Sequence, residues 1–138
     1  MRRFVSLLLV VLLAAACAVP AAAEEDKLAS GRRFTELFFG GAVDELWEVF
    51  DKPLRDVFGT VDGLRLFHTQ IVSAFGAEPE LVHDEITAMQ GWLVYQALLK
   101  FGEAAPLLLI QWSYTEDGII GGMFVSQVPR EAPSEFLD

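Results

Sequence analysis

The segment that most restricts the fold is a pair of β-rich runs at residues 107–115 and 119–128, separated by Glu116-Asp117-Gly118. An Asp-Gly pair between two such runs favours a tight hairpin, because the turn needs residues that tolerate positive φ. The segment therefore predicts two long antiparallel strands. The rest of the chain must supply neighbouring strands, or helices that cover one face of this hairpin.

Two more strands are predicted immediately upstream, at residues 80–89 and 92–101, with Gln90-Gly91 as the turn between them. Side chains alternate with a period of two in both runs, as in a strand with two different faces. In the first run we expect Val82, Asp84, Ile86 and Ala88 to share one face. Together with the hairpin, these runs predict four antiparallel strands in a meander.

Before residue 78 the apolar period is that of a helix. Helices are predicted at residues 24–39, 43–50 and 62–75, with a short additional turn capped by Asp51 and begun near Pro53. Because the helices precede the strands instead of alternating with them, the expected class is α+β, with the helices packed on one face of a curved sheet. The apolar stripes are Phe34, Leu37 and Phe38; Val43, Leu46, Trp47 and Phe50; and Leu64, Phe67, Ile71 and Phe75.

The amino terminus has the pattern of a secretory signal peptide. Arg2 and Arg3 precede an apolar run at residues 4–16, and small residues follow up to Ala23. We predict cleavage after Ala23, which makes residues 1–23 the leader and residues 24–138 a single exported domain. The alternative is a lipoprotein anchor at Cys17, although the aliphatic residue usual three positions before such a cysteine is replaced by Ala14.

Removal of the leader would leave 115 of the 138 residues, enough for one modest core. That mature chain has no cysteine, which excludes disulfides, a catalytic thiol and a zinc–thiolate site. It keeps 8 of the 10 basic residues and all 20 acidic ones, a formal charge of −12. Such a charge disfavours nucleic acid and anionic lipid as partners, so no membrane contact is expected unless Cys17 is lipidated.

No catalytic motif is present in the sequence. There is no nucleophile elbow and no phosphate-binding glycine loop. The run His83-Asp84-Glu85 looks like a metal-ligand cluster, but neighbouring strand residues point to opposite faces, so only His83 and Glu85 share a side. We therefore predict no metal, no cofactor and no identifiable catalytic residue, and we interpret the carboxylate groups Asp44/Glu45/Glu48 and Asp56/Asp62 as solvated surface.

Aromatic residues from neighbouring strands are the stronger indication of a site. Tyr95, Trp112 and Tyr114, together with His68 from the last predicted helix, would line a cavity inside a curled sheet. Tyrosine and tryptophan give a polar handle to an apolar pocket. The alternative is that these side chains simply fill the core, with His68 at its edge.

The order of elements and several short runs together resemble the nuclear transport factor 2-like superfamily, and in particular its small secreted bacterial domains that accompany serine hydrolases. The resemblance implies a cone-shaped α+β fold, and residues 129–138 are similar to the junction that precedes such a hydrolase. Enzymes of the superfamily use Asp or His groups inside the cone, but no such position can be matched here. The runs that carry the resemblance are Phe38-Phe39-Gly40-Gly41 followed by Val43-Asp44-Glu45-Leu46-Trp47, and Trp112 followed by Asp117-Gly118-Ile119-Ile120-Gly121.

From these patterns we expect an exported, non-enzymatic module that binds a partner protein or a small apolar ligand. The alternative is a small isomerase- or hydrolase-type enzyme with its site inside the cone and His68 or an inward carboxylate as base. Helices cover only one face of a sheet, so the outer face is predicted to form a homodimer, or a heterodimer with a related module, and the superfamily resemblance also implies dimerisation through the sheet. That face would carry Leu107, Leu109, Gln111, Ser113 and Thr115, with either Trp92, Val94 and Leu98 or Leu93, Tyr95 and Leu99 beside them.

Overall fold

A computed structural model describes residues 21–103 and 105–129 of the chain. Within these residues, four helices precede four strands, which confirms the predicted α+β class. The helices are α1 (Ala21–Phe39), α2 (Val43–Glu48), α3 (Lys52–Phe58) and α4 (Val61–Phe75), and the strands are β1 (Glu80–Met89), β2 (Trp92–Lys100), β3 (Leu107–Tyr114) and β4 (Ile120–Val128).

The four strands form one open antiparallel sheet in the order β1-β2-β3-β4, as the meander predicted. The β1–β2 turn consists of Gln90 and Gly91, whose φ angles of 53° and 85° are both left-handed, as a two-residue hairpin turn requires. In the β3–β4 turn, Gly118 takes the positive φ of 81°. The Thr115 amide donates to the Ile119 carbonyl at 2.8 Å and closes this turn.

Strand β1 departs from the simple alternation predicted for it. A register shift between Leu81 and His83 leaves Val82 without a cross-strand partner, and Leu81 lies opposite Leu99. Because Leu99 shares a face with the β2 partners of Asp84 and Ile86, Leu81 lies on the face of Asp84 and Ile86. The alternation predicted the opposite face for Leu81 and was wrong there, because a bulge interrupts the period of two. A second shift, between Ser113 and Tyr114, occurs in the β3–β4 pair.

The inner face of the sheet is fixed by β3, where every second residue is buried. Leu108, Ile110 and Trp112 are fully buried and Tyr114 nearly so. Their β2 partners are Leu99, Ala97, Tyr95 and Leu93, so Trp92, Val94 and Leu98 belong to the outer face. Of the two sets of β2 side chains that the sequence allowed on the outer face, the structure thus selects Trp92, Val94 and Leu98.

The helices cover this inner face with aromatic and aliphatic side chains, among them the fully buried Phe38, Leu46 and Leu64. Helix α2 ends at Glu48, two residues before the predicted end at Phe50. Phe50 instead forms a parallel bridge with Ile120 and ties the helical layer to β4. Asp51 caps α3 as expected, since its Oδ1 accepts a hydrogen bond from the Leu54 amide at 3.0 Å.

Within residues 21–103 and 105–129, no helix is both long enough and apolar enough to cross a bilayer. The predictions made for residues 1–20 and 130–138, including the lipidation alternative at Cys17, lie outside the described residues.

Candidate functional site

A cavity of about 330 Å³ lies between α1, the segment after α4, and strands β1 and β2. We call it the α1–sheet cavity. Its apolar wall consists of Phe39, Leu81 and Leu99, while Ala77 and Pro79 come from the segment between α4 and β1. Polar groups enter from one side only, mostly from α1. The lining residues are Arg32, Thr35, Glu36, Phe39, Gly40, Ala77, Pro79, Leu81, Tyr95 and Leu99.

Gly31 allows α1 to approach the sheet beside this cavity. A Cβ atom at Gly31 would lie 2.2 Å from Cγ of Tyr95, a separation that no packed structure allows. The Tyr95 ring therefore lies directly against the helix backbone. This contact places the phenol hydroxyl at the cavity wall.

An ion pair crosses from α1 to β1 at the same place. Arg32 donates to Asp84 from Nε at 2.6 Å and from Nη2 at 3.0 Å, a bidentate arrangement. The Tyr95 hydroxyl donates to Asp84 Oδ2 at 2.9 Å. Because the Asp84 side chain is only 7% exposed while that of Arg32 is 50% exposed, the carboxylate lies inside and the guanidinium reaches the surface.

Protonation in this network follows from its geometry. The Arg32 hydrogen bonds, with a smaller contribution from Tyr95, hold the pKa of Asp84 below its usual value despite burial. Burial and the neighbouring Asp84 carboxylate raise the pKa of the Tyr95 phenol well above its usual value. At neutral pH the Asp84 carboxylate is therefore ionised and accepts three hydrogen bonds, while the Tyr95 phenol keeps its proton.

Thr35 continues the polar wall inward and is itself buried. Its hydroxyl donates to the Gly31 carbonyl at 2.9 Å and accepts from Trp112 Nε1 at 2.9 Å. The hydroxyl therefore satisfies the indole of a fully buried tryptophan. The polar atoms at the floor of the cavity are hydrogen-bonded within the protein. Arg32 and Glu36 are the polar groups that lie toward the mouth.

The four residues predicted for the site do not line one common cavity. Tyr95 lines the α1–sheet cavity, and Trp112 is its register partner but lies in the closed core. Tyr114 borders a second cleft, where its hydroxyl donates to the Lys27 carbonyl at 2.7 Å. His68 packs edge-on against Phe38 at 5.4 Å between ring centroids and is not among the lining residues of either space.

The second cleft, at the turn end of the sheet, is larger but more polar. It encloses about 590 Å³, and its residues include Trp92, Thr115, Glu116 and Asp117. The ammonium group of Lys27 lies 4.7 Å from the centre of the Tyr114 ring, which fills part of the cleft with the protein's own cation.

His68 is notable for an unpaired atom. Its Nε2 is buried and has no hydrogen-bond partner among the described residues. A Cβ atom at Gly41, two residues after the end of α1, would lie 3.7 Å from His68 Cε1, the ring carbon next to Nε2. The edge-of-core interpretation of His68 agrees with its packing on Phe38, although the hydrogen bond expected for such a histidine is not formed.

Several other carboxylates lie on the surface and pair with basic side chains. Asp44 and Asp62 both pair with Arg65, and Asp56 pairs with Lys52, all through exposed side chains. His83 Nε2 and Glu85 Oε2 share a face at 3.7 Å, as the alternation predicted. In the described part of the chain, no three His, Cys, Asp or Glu side chains come together as metal ligands.

Sequence reasoning missed the residues that build the cavity wall. Arg32 and Asp84 are 52 positions apart and no local pattern connects them. Two signals were present nevertheless. Gly31 interrupts an otherwise good helix, which often marks a close approach of another group. Asp84 stands on the same strand face as Ile86, and an inward carboxylate needs a partner.

The fold and the site thus define an α+β protein with helices on one face of an open sheet and a small, largely apolar cavity. Comparisons with protein-family models, with curated proteins and with solved structures find no match for this chain. The resemblance to the nuclear transport factor 2-like superfamily therefore stays a prediction.

Proposed function

We propose that this protein is an exported, non-enzymatic module that binds a small, mainly apolar ligand in the α1–sheet cavity. The observation that carries the proposal is the combination of an apolar wall with the polar groups of Arg32, Thr35 and Tyr95, which are already paired within the protein. The volume of about 330 Å³ falls within the range of small-molecule sites, roughly 300–1,000 Å³.

The enzyme alternative receives less support from the geometry. An acid–base enzyme needs a titratable group with a free lone pair at the floor of a concave site. The floor here presents the Tyr95 hydroxyl, whose proton is donated to Asp84. His68, the base considered from the sequence, is not among the residues that line the cavity.

Titration with a neutral probe tests ligand binding directly. We expect 1-hexanol to shift backbone amide resonances of Leu81 and Leu99 in the mature protein. Ala77 is exposed at the cavity wall, so Ala77→Trp should fill the space and abolish these shifts. Ala74→Trp, at an exposed α4 position outside the lining, should leave them intact. Equal binding in both variants, or no binding at all, would contradict the proposal.

Export is a separate part of the proposal and rests on the sequence of residues 1–23. Intact-mass analysis of the protein recovered outside the cytoplasm should give an amino terminus at Glu24. A diacylglycerol adduct on Cys17 would show the lipoprotein alternative instead.

We also propose a second copy of the chain as the macromolecular partner, joined through the outer sheet face. This proposal is supported by Met89, Trp92 and Phe124, which are about half exposed on that face. It is independent of the ligand proposal, because the cavity lies on the inner side of the sheet.

A further inference from the structure

We infer that the α1–sheet cavity selects apolar amines over carboxylates of the same size. The inference rests on the proposed binding function and adds the chemical class of the ligand. The cavity wall favours a ligand with an apolar body, and the charges at the mouth favour one sign of charge on its head group.

The first step is that Arg32 offers little net positive charge to a ligand. Two of its three guanidinium nitrogens donate to Asp84, and the pair is bidentate and close. At a distance, the ion pair acts as a neutral unit. An anionic ligand would have to compete with a carboxylate that is already buried and held in place, with 7% of its side chain exposed.

The second step is that the other charges at the mouth are negative. Glu36 follows Arg32 by four positions on α1, so both point to the same side of the helix, and Glu36 lines the cavity. Glu78 lies between the lining residues Ala77 and Pro79 and borders an adjoining depression. Both glutamates are exposed, Glu36 in the lining of the cavity and Glu78 in the adjoining depression.

The nearest basic residues do not offset these glutamates. Lys100 pairs with Glu103 at 3.0 Å and lies across the strand pair from Glu80, on the outer side of the sheet. Arg33 is directed toward Glu45 on α2, at 4.0 Å. The whole chain has a net charge of −10, which adds a field of the same sign.

The apolar wall explains why a simple metal cation or a small polar amine would not be the ligand. Phe39 and Leu99 are almost fully buried and form part of the wall together with Leu81. Contact with them contributes only if the ligand brings apolar surface to bury. A protonated amine with an aliphatic or aromatic body of about six carbons satisfies both the wall and the mouth.

The test compares hexylamine, 1-hexanol and hexanoate by calorimetric titration of the mature protein at pH 7 and low salt. We expect hexylamine to bind about tenfold more tightly than hexanoate, with 1-hexanol between them, the order produced by two nearby like charges in partly exposed positions. Because these charges are near the surface, the ratio should shrink in added salt.

Variants separate the cavity charges from the general acidity of the chain. Glu36→Gln combined with Glu78→Gln should reduce the amine-to-carboxylate ratio severalfold, with 1-hexanol affinity measured in the same variant as the reference for any change in the cavity itself. Glu116→Gln, at the second cleft, serves as the matched control and should keep the ratio. An unchanged ratio in the double variant would overturn the inference, as would hexylamine binding that survives Ala77→Trp.

The two proposals fail in different ways. If 1-hexanol binds but hexanoate equals or exceeds hexylamine, the amine preference is wrong while the binding function stands. If none of the three probes binds, the cavity is not a ligand site and both proposals are wrong.

Discussion

Thr35 joins helix α1 to the sheet through a single hydroxyl group. The hydroxyl accepts from the Trp112 indole and donates to its own helix, and both residues are buried. A buried N–H that loses its acceptor costs more than the net contribution of an average hydrogen bond, because its desolvation is no longer compensated. The hydrogen bond between Thr35 and Trp112 therefore links the packed core to the wall of the cavity.

Truncation of Trp112 is expected to be severe. The prediction that this residue is buried on the face of Leu108, Ile110 and Tyr114 is confirmed. Trp112→Ala should lower the free energy of unfolding by roughly 3–5 kcal/mol, out of a total on the order of 5–15 kcal/mol. Urea denaturation measures this, and a midpoint equal to that of the parent would contradict the packing described here.

The hydroxyl–indole bond can be tested with smaller changes. Thr35→Val keeps the shape but leaves the indole N–H without its acceptor, which should cost about 1–3 kcal/mol. Trp112→Phe removes the donor as well. The loss of unfolding free energy in the double variant should be smaller than the sum of the losses in the two single variants, because both substitutions remove the same bond. Strict additivity would mean that the bond contributes nothing.

Asp84 gives the protein a specific sensitivity to acid. Its pKa is lowered below the ordinary value of 3.8, first by the Arg32 hydrogen bonds. A lowered folded-state pKa means that the ionised carboxylate stabilises the fold above about pH 3.8, and that this contribution is lost as the pH falls through the folded-state value. Asp84→Asn should therefore be less stable than the parent at pH 7, and the difference should narrow in strong acid.

Denaturation midpoints of both proteins between neutral pH and strong acid measure this effect. Asp44→Asn is the control, since Asp44 also pairs with an arginine but is 78% exposed. Surface pairs of that kind contribute little, so its midpoint should stay close to that of the parent at every pH. A constant gap between Asp84→Asn and the parent at all pH values would show that the Asp84 charge is not what stabilises the wall.

At the scale of elements, local periodicity predicts this fold well. The helical stripe of Leu64, Phe67 and Ile71 and the strand alternation around Trp112 lead to the observed elements, because each pattern reflects burial of one side. Gln90-Gly91 and Gly118 mark the turns because left-handed φ angles are needed there.

The errors have equally physical causes. Alternation cannot reveal the bulge at Val82, because an extra residue is set by pairing with β2 and not by β1 itself. Phe50 fits the helical stripe, yet it pairs with Ile120, 70 positions away, and that long-range bridge ends the helix early. The Arg32–Asp84 pair is long-range in the same sense, so the cavity wall could not be derived from local sequence.

The approach of α1 to the sheet gives a prediction in which helix propensity and packing oppose each other. Alanine at position 31 should favour the helix by up to ~1 kcal/mol over glycine. Its Cβ would collide with the Tyr95 ring, however, with three ring atoms within 2.2–2.7 Å. We expect Gly31→Ala to destabilise the protein by about 1–3 kcal/mol through overpacking, measured by thermal or urea unfolding.

The background variant Tyr95→Ala isolates the collision. Without the ring, Gly31→Ala should become neutral or stabilising, because only the helix propensity remains. Destabilisation of the same size in both backgrounds would place the cause in the helix backbone and not in the contact with Tyr95.

At the scale of the whole molecule, the outer sheet face differs from the rest of an acidic surface. Its centre is formed by Gln96, Gln111, Leu109 and Ser113, which are uncharged. Gln111 donates to Gln96 at 3.0 Å, and Gln96 donates to Glu85 on β1, so side-chain hydrogen bonds from two amides to a carboxylate cross three strands. The charged residues Glu80, Glu85 and Lys100 belong to the strand pair at the β1 edge. A chain with a net charge of −10 thus keeps the middle of one face free of charge.

We therefore predict that the mature protein is a homodimer joined by this face, and that Phe124 lies in the interface. Phe124 is 55% exposed on the edge strand β4, opposite Gln111 of β3, where burial against a second copy would remove a large apolar surface from water. Light scattering after size exclusion at micromolar concentration should give twice the monomer mass, and Phe124→Glu should give the monomer. Val57→Glu is the control, because Val57 is a 76% exposed apolar residue on α3, away from the sheet, and this variant should stay dimeric. Repulsion between two acidic chains is screened at physiological salt, so apolar contact at the uncharged centre decides the outcome. A parent protein that stays monomeric at every concentration, or a Phe124→Glu variant with unchanged mass, would rule out this interface.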